Sequence, residues 1–220
     1  MTPMFKFRIT AMVLLGLVLV LSGCTQTGHD TPKTGPATPL GPAERAEQAL
    51  SLAANSIAPH RQLHQLDAAE LLVLAGDNQQ ALKVLSSIDQ NALSGQRLVD
   101  FHLLFTEVAM GQERFFLARD LLTDPEFSAN TGQLPTSLRV KWQKLRGELF
   151  SLLGEDEQSI RAYAELSSLV TSPGEQTAIS EAIWRLLTHI SQKHLAALQA
   201  TESDPLLQGW YTLASRVREN

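Results

Sequence analysis

The chain has one cysteine, Cys24, in 220 residues. An intrachain disulfide is therefore excluded, as is a zinc site built from several thiolates. No apolar run approaches the ~20 residues that a helix needs to cross a bilayer. There is no Gly-rich phosphate loop and no Gly-x-Ser-x-Gly elbow, and no Ser-x-x-Lys pairing stands in a usable context. No β-rich stretch with polar-apolar alternation occurs, which leaves an all-α chain as the expected fold class. Acidic residues are missing from the first 29 positions and aromatics make up 6% of the total.

What the start does have is specific. Lys6 and Arg8 precede a run from Ile9 to Leu21 of roughly 13 residues, the length of a signal-peptide core. It ends in Leu21-Ser22-Gly23-Cys24, which matches the box at which bacterial lipoproteins are cut before an acylated cysteine. Residues 1–23 are thus expected to be removed, with Cys24 lipidated as the mature N-terminus. Two thioether-linked acyl chains and an amide-linked third hold tightly at ~0.8 kcal/mol per buried CH₂. Thr25 stands next, which resembles the lipoproteins sorted to the outer membrane.

Residues 24–41 read as a tether. They are rich in Thr, Pro and Gly; Pro32, Pro36, Pro39 and the adjoining Pro42 are four of the chain's ten prolines. Such a segment buries too little apolar surface to offset its ordering entropy, and at ~3.1 Å per residue it reaches roughly 50 Å. With Lys6 and Arg8 removed, 16 basic residues face 23 acidic ones, a charge of −7 that disfavours nucleic acid and anionic lipid headgroups as partners.

From Pro42 to Asn220 the pattern is helix after helix. Pro42 opens a helix through Asn55. Leu63, Leu66, Leu71, Leu74 and Ala75 place the next over 61–75, Gly76-Asp77-Asn78 breaks it, and 79–88 answers with Ala81, Leu82, Val84, Leu85 and Ile88. So short a turn makes an antiparallel αα-hairpin. The arrangement recurs at Gly111, where Leu103 to Met110 leads to Phe115, Phe116, Leu117, Ala118, Leu121 and Leu122. It recurs again at Gly154, where Leu138, Trp142, Leu145, Leu149 and Leu152 lead to Ile160, Tyr163, Leu166 and Leu169.

Glycine intervals of 35 and 43 suit a tetratricopeptide-like solenoid, whose period is ~34, with a turn-rich insert over 124–135 lengthening the second. Counting from each glycine puts Ala81, Phe116 and Ser159 at one position, so the repeat is degenerate. Ser172-Pro173-Gly174 starts a further pair, and Asp204-Pro205 caps a last helix bearing Leu206, Leu207, Trp210, Leu213 and Ala214.

Few residues look chemical. His60 and His64 share a helical spacing, but Arg61 stands where a zincin helix needs Glu; His189 and His194 straddle a helix end. Both pairs read better as solvated side chains than as ligands, so no metal or other cofactor is expected. Glu155-Asp156-Glu157 opens a helix, where carboxylates complement its dipole. Trp142, Trp184 and Trp210 lie on apolar faces and read as packing. Neither a catalytic nor a binding residue is assigned.

One resemblance is specific. Glu181-Ala182-Ile183-Trp184-Arg185-Leu186-Leu187, followed by Leu206 to Ala214, resembles the close of the N-terminal domain of the LpoA family, outer-membrane lipoprotein activators of penicillin-binding proteins. The lipobox, tether and degenerate hairpins resemble it too. The resemblance implies a non-catalytic regulator in peptidoglycan synthesis. It would be lipid-anchored to the outer membrane and face the periplasm, reaching through the peptidoglycan, itself a possible contact, to a class A penicillin-binding protein. It also implies a second, α/β domain of periplasmic-binding-protein type; by that reading this chain is the N-terminal helical domain, ending where the linker would begin. The alternatives are a tetratricopeptide-type lipoprotein scaffold for outer-membrane protein assembly and, third, a wall-acting enzyme.

Overall fold

A computed structural model describes residues 39–219, the side chains of Glu126 and Asn130 excepted. The cleavage box Leu21, Ser22 and Gly23, the lipidation site Cys24 and nearly all of the tether lie outside the described residues. From Leu40 onward the chain forms a unit of its own.

Among the described residues every regular element is helical: α1 Pro42–Ala54, α2 His60–Leu74, α3 Asn78–Ser86, α4 Gly95–Gly111, α5 Phe115–Leu122, α6 Pro125–Asn130, α7 Thr136–Leu152, α8 Asp156–Ser167, α9 Pro173–His189, α10 Gln192–Thr201 and α11 Pro205–Glu219. Short 3₁₀ turns occupy Gln90–Ala92 and Thr131–Gln133. The strongest packing joins sequence neighbours, α1 on α2, α2 on α3, α4 on α5, α7 on α8, α8 on α9 and α10 on α11, and the first helices of successive hairpins also touch, α2 on α4 and α4 on α7. That is a solenoid, in which a unit buries its apolar face only against its neighbours.

Three hairpin turns share one construction. At the first, the Asp77 N–H donates to the Leu72 carbonyl at 2.9 Å and the Gly76 N–H to Val73 at 3.0 Å. Arg114 and Glu113 repeat this on Ala109 and Met110, and Glu155 and Gly154 on Phe150 and Ser151. These are Schellman closures, which need a left-handed residue just past the helix. Gly76 (φ +82°), Glu113 (φ +58°) and Gly154 (φ +73°) fill that place. The second turn therefore pivots on Glu113, and Gly111 is simply the last helical residue.

This corrects the register. Measured from the left-handed residue, the fifth position is Ala81, Ala118 and Ser159, each fully buried, and the intervals become 37 and 41. The seventh residue before it is Ala69, Thr106 and Gly147, again small and buried. Small residues at both places let the paired helices approach closely. At Gly147 the approach is so tight that an added Cβ would sit 2.7 Å from the Tyr163 ring. Phe116, which the glycine count aligned with Ala81 and Ser159, is 67% exposed.

Two apolar clusters run along the stack. One gathers side chains of α1 to α7, among them Leu66, Leu85, Phe101, Leu103, Leu122 and Leu149. The other joins α8 to α11 through Ile160, Ile183, Leu187, Leu195, Leu207 and Tyr211. Stripe residues at helix ends fall outside them: Leu74 is 72% exposed, and Leu152 is exposed too. In α11 the buried face is Leu207, Tyr211 and Ala214, with Leu206 and Leu213 turned outward. That helix carries two apolar stripes one residue apart, so spacing alone could not choose between them.

The insert over 124–135 is more ordered than its turn-rich composition suggests. Asp124 Oδ1 accepts the Phe127 N–H at 2.9 Å, capping α6, and Pro125 takes the first turn, where a missing N–H costs nothing. Phe127 is then driven into the first core, where it stacks on His102 at 4.6 Å and meets Trp142 edge-on at 6.4 Å.

Candidate binding surfaces

The first helices of the hairpins are strapped together by ion pairs. Arg97 of α4 pairs with Asp67 of α2 and lies 3.4 Å from Glu70 of α2 and 3.8 Å from Asp100 on its own helix. One hairpin further, Lys141 Nζ of α7 meets Glu107 Oε2 of α4 at 2.7 Å. Four carboxylates against two cations leave this strip acidic. Burial pushes the Glu70 carboxyl above its ordinary value, and the Arg97 guanidinium pulls the other way.

The three carboxylates at the start of α8 each find a partner on a different element. Glu155 lies 3.5 Å from Arg119 of α5, Asp156 lies 3.5 Å from His189 at the end of α9, and Glu157 meets His194 of α10 at 2.5 Å. The fold thus gathers the acidic triplet and the His189/His194 pair, which the sequence left separate, into one open recess. Asp156 and Glu157 do occupy the first turn of α8, as dipole complementation requires. Among the described residues no group of three or more His, Cys, Asp or Glu is placed to hold a metal ion. His60 and His64 lie on α2, at the far end of the sequence from this recess.

Between α7 and α8 a polar strap crosses the hairpin. Gln143, itself buried, bonds Glu165, and the Arg146 guanidinium donates to Gln143 Oε1 at 3.0 Å while lying 4.6 Å over the Trp142 ring. Burial lowers the Arg146 pKa, and Glu165 opposes this. Trp142 packs against the first core. At the far end Arg218 of α11 donates to the carbonyls of Leu187, at 2.5 Å, and Ile190, covering the open C-terminus of α9.

Trp184 and Trp210 behave differently from Trp142. Each leans on the second core, half-buried, and turns its remaining surface to one shared groove. Glu181, Arg185, Thr177, Ser180, Thr188 and Gln176 complete its walls. The two segments that carried the family resemblance thus supply both indoles and the charged pair Glu181 and Arg185. Packing accounts for half of each indole, and the sequence held no signal that the other halves converge.

Sequence reasoning also passed over His102. It is buried among aromatics, with Nδ1 3.1 Å from the Leu121 carbonyl. Its flanking Phe101, Leu103 and Phe105 are the only hint.

A family model described as LppC putative lipoprotein matches residues 40–220. The penicillin-binding protein activator LpoA of Erwinia tasmaniensis is 26% identical over 213 residues, which cover 94% of this chain and 30% of that protein. The amino-terminal domain of E. coli LpoA superposes with a TM-score of 0.53 at 21% identity, over 77% of this chain and 73% of that one. Full-length LpoA from Haemophilus influenzae gives 0.52 at 14% identity, over 80% and 31%. Over the superposed residues both structures share the helical fold; the chain spans less than a third of the curated relative's length. With the family model covering everything from Leu40 onward, the chain belongs to the LppC putative lipoprotein family.

Proposed function

We propose that the chain is a non-catalytic, lipid-anchored regulator that stimulates a class A penicillin-binding protein during peptidoglycan synthesis. Cys24 carries the acyl chains at the periplasmic face of the outer membrane, residues 24–41 act as the tether, and the helical domain is held out toward the wall. The observation that carries this is the match, along 94% of the chain, to a curated activator of penicillin-binding proteins. The architecture supports it: a stack of helical hairpins offers extended surface, and the acidic strip of Asp67, Glu70, Asp100 and Glu107 favours a basic patch on the partner.

Crosslinking in intact cells tests the contact. A class A synthase should be captured by a photoreactive side chain on the exposed face of α2 or α4. Capture of outer-membrane assembly machinery instead would favour the scaffold reading. The anchor is tested separately: labelled palmitate should enter the wild-type chain and not Cys24→Ala, and equal labelling of both would remove Cys24 from its role.

A further inference from the structure

The groove between Trp184 and Trp210 is built from α9 and α11 and shares no residue with the acidic strip of α2, α4 and α7, and its lining points to a ligand of its own. Thr177 Oγ1 donates to the Pro173 carbonyl at 3.0 Å, Ser180 Oγ to Gln176 at 2.8 Å and Thr188 Oγ1 to Arg185 at 2.6 Å. Each hydroxyl has thereby spent its only proton on the helix and offers lone pairs alone. Gln176 donates one Nε2 proton to the Val170 carbonyl at 3.1 Å, which leaves Oε1 as an acceptor and the second N–H as a donor. With the Glu181 carboxylate, five side chains present acceptors along one wall.

The charges cancel. Glu181 and Arg185 are one turn apart on α9, and neither side chain forms an ion pair or hydrogen bond among the described residues. The indole N–H groups of Trp184 and Trp210 also have no partner there, and unlike that of Trp142 they are not sealed from solvent. The site thus asks for a neutral molecule rich in hydroxyl and amide donors that also has flat apolar faces for two indoles. A peptide backbone brings one donor per residue and a nucleic acid brings charge. A carbohydrate brings hydroxyls around its edge and C–H faces above and below.

We propose that this groove binds a glycan chain, with sugar rings stacked on Trp184 and Trp210 and their hydroxyl and acetamido N–H groups donating to Thr177, Ser180, Glu181 and Thr188. This site is separate from the synthase contact and does not depend on it.

The test uses the full chain in detergent and a tetramer of β-1,4-linked N-acetylglucosamine as probe, followed by calorimetry and tryptophan fluorescence. Saturable binding is expected, weakened about tenfold or more in Trp184→Ala and Trp210→Ala, and unchanged in Phe116→Ala, on a remote exposed face. Both tryptophans also lean on the core, so Thr177→Arg provides a second variant. Its side chain fills the groove from an exposed position, and it should abolish binding while the circular dichroism stays helical. No saturation by about 10 mM, wild-type affinity in Thr177→Arg, or binding of a wall stem peptide in place of the sugar would each overturn the assignment. No synthase is present in the assay, so its failure leaves the regulator reading standing, and failure of synthase capture leaves the groove's ligand untouched.

Discussion

The Ser159 hydroxyl of α8 donates to the Gly147 carbonyl of α7 at 2.7 Å, across a contact where α7 carries no side chain. Tyr163, one turn further along α8, lies over the same glycine. Gly147→Ala gains up to about 1 kcal/mol of helix propensity but drives a Cβ into a ring, and overpacking of this kind costs about 1–3 kcal/mol. The variant should be less stable by urea titration, with Ser159→Ala losing about 1 kcal/mol through the missing bond. A stabilised Gly147→Ala would mean that the hairpin has slack there.

Glycines at the hairpin turns should respond with opposite signs. Gly76 and Gly154 hold left-handed backbone, and alanine at either should cost about 1 kcal/mol. Gly111 is helical with open space around the missing Cβ, so Gly111→Ala should stabilise by about 0.5–1 kcal/mol. Glu113→Gly should also stabilise, by relieving the one non-glycine residue with left-handed backbone among the described residues. Chemical denaturation of the four variants checks the pattern, and a destabilised Gly111→Ala would contradict the assigned turn.

These turns also show what was legible in the sequence. The helices and their hairpin pairing could be read because each apolar stripe is interrupted by a polar turn. The register could not be read, because glycine marks a left-handed position statistically and here Glu113 takes it two residues after a glycine. Phe127 was lost for a similar reason: Asp124-Pro125 is a helix start, masked by the turn-forming residues that follow. The Trp184–Trp210 groove needs residues 26 apart to meet, which no local pattern encodes. The same is true of the acidic triplet and His189/His194, whose partners come from α5, α9 and α10.

Arg97 is the hub of the α2–α4 strap, and removing it exposes a conflict. Without the guanidinium, Asp67, Glu70 and Asp100 repel one another, so Arg97→Ala should destabilise by about 1 kcal/mol, discounted for partial exposure. Glu70→Gln should be neutral or slightly stabilising at pH 7. A carboxyl with a raised folded pKa carries a penalty when ionised, relieved as pH falls through that value. Thermal melts at pH 5 and 7 separate the two; an equal loss in both variants would dismiss the conflict.

Glu202 gives the opposite pH dependence. It accepts the N–H groups of Asp204 and Ser203, each at 2.9 Å, and meets Arg161 of α8 at 2.6 Å. Chiefly the Asp204 N–H, with Arg161 also contributing, holds its carboxyl below the ordinary value near 4.5. Its stabilisation is complete above that ordinary value and lost as pH falls through the folded one. Glu202→Gln should therefore lower Tm at pH 7 and converge with the wild type under strong acid; a constant gap down to about pH 2 would contradict this.

The most direct measurement is the rate of glycan polymerisation and peptide crosslinking by a purified class A penicillin-binding protein, with and without the full acylated chain. Stimulation that saturates with added chain, together with no change in wall material when the chain is incubated alone, is the predicted result. An unchanged synthase rate, or muropeptides altered by the chain in the absence of synthase, would contradict the account of a non-catalytic regulator.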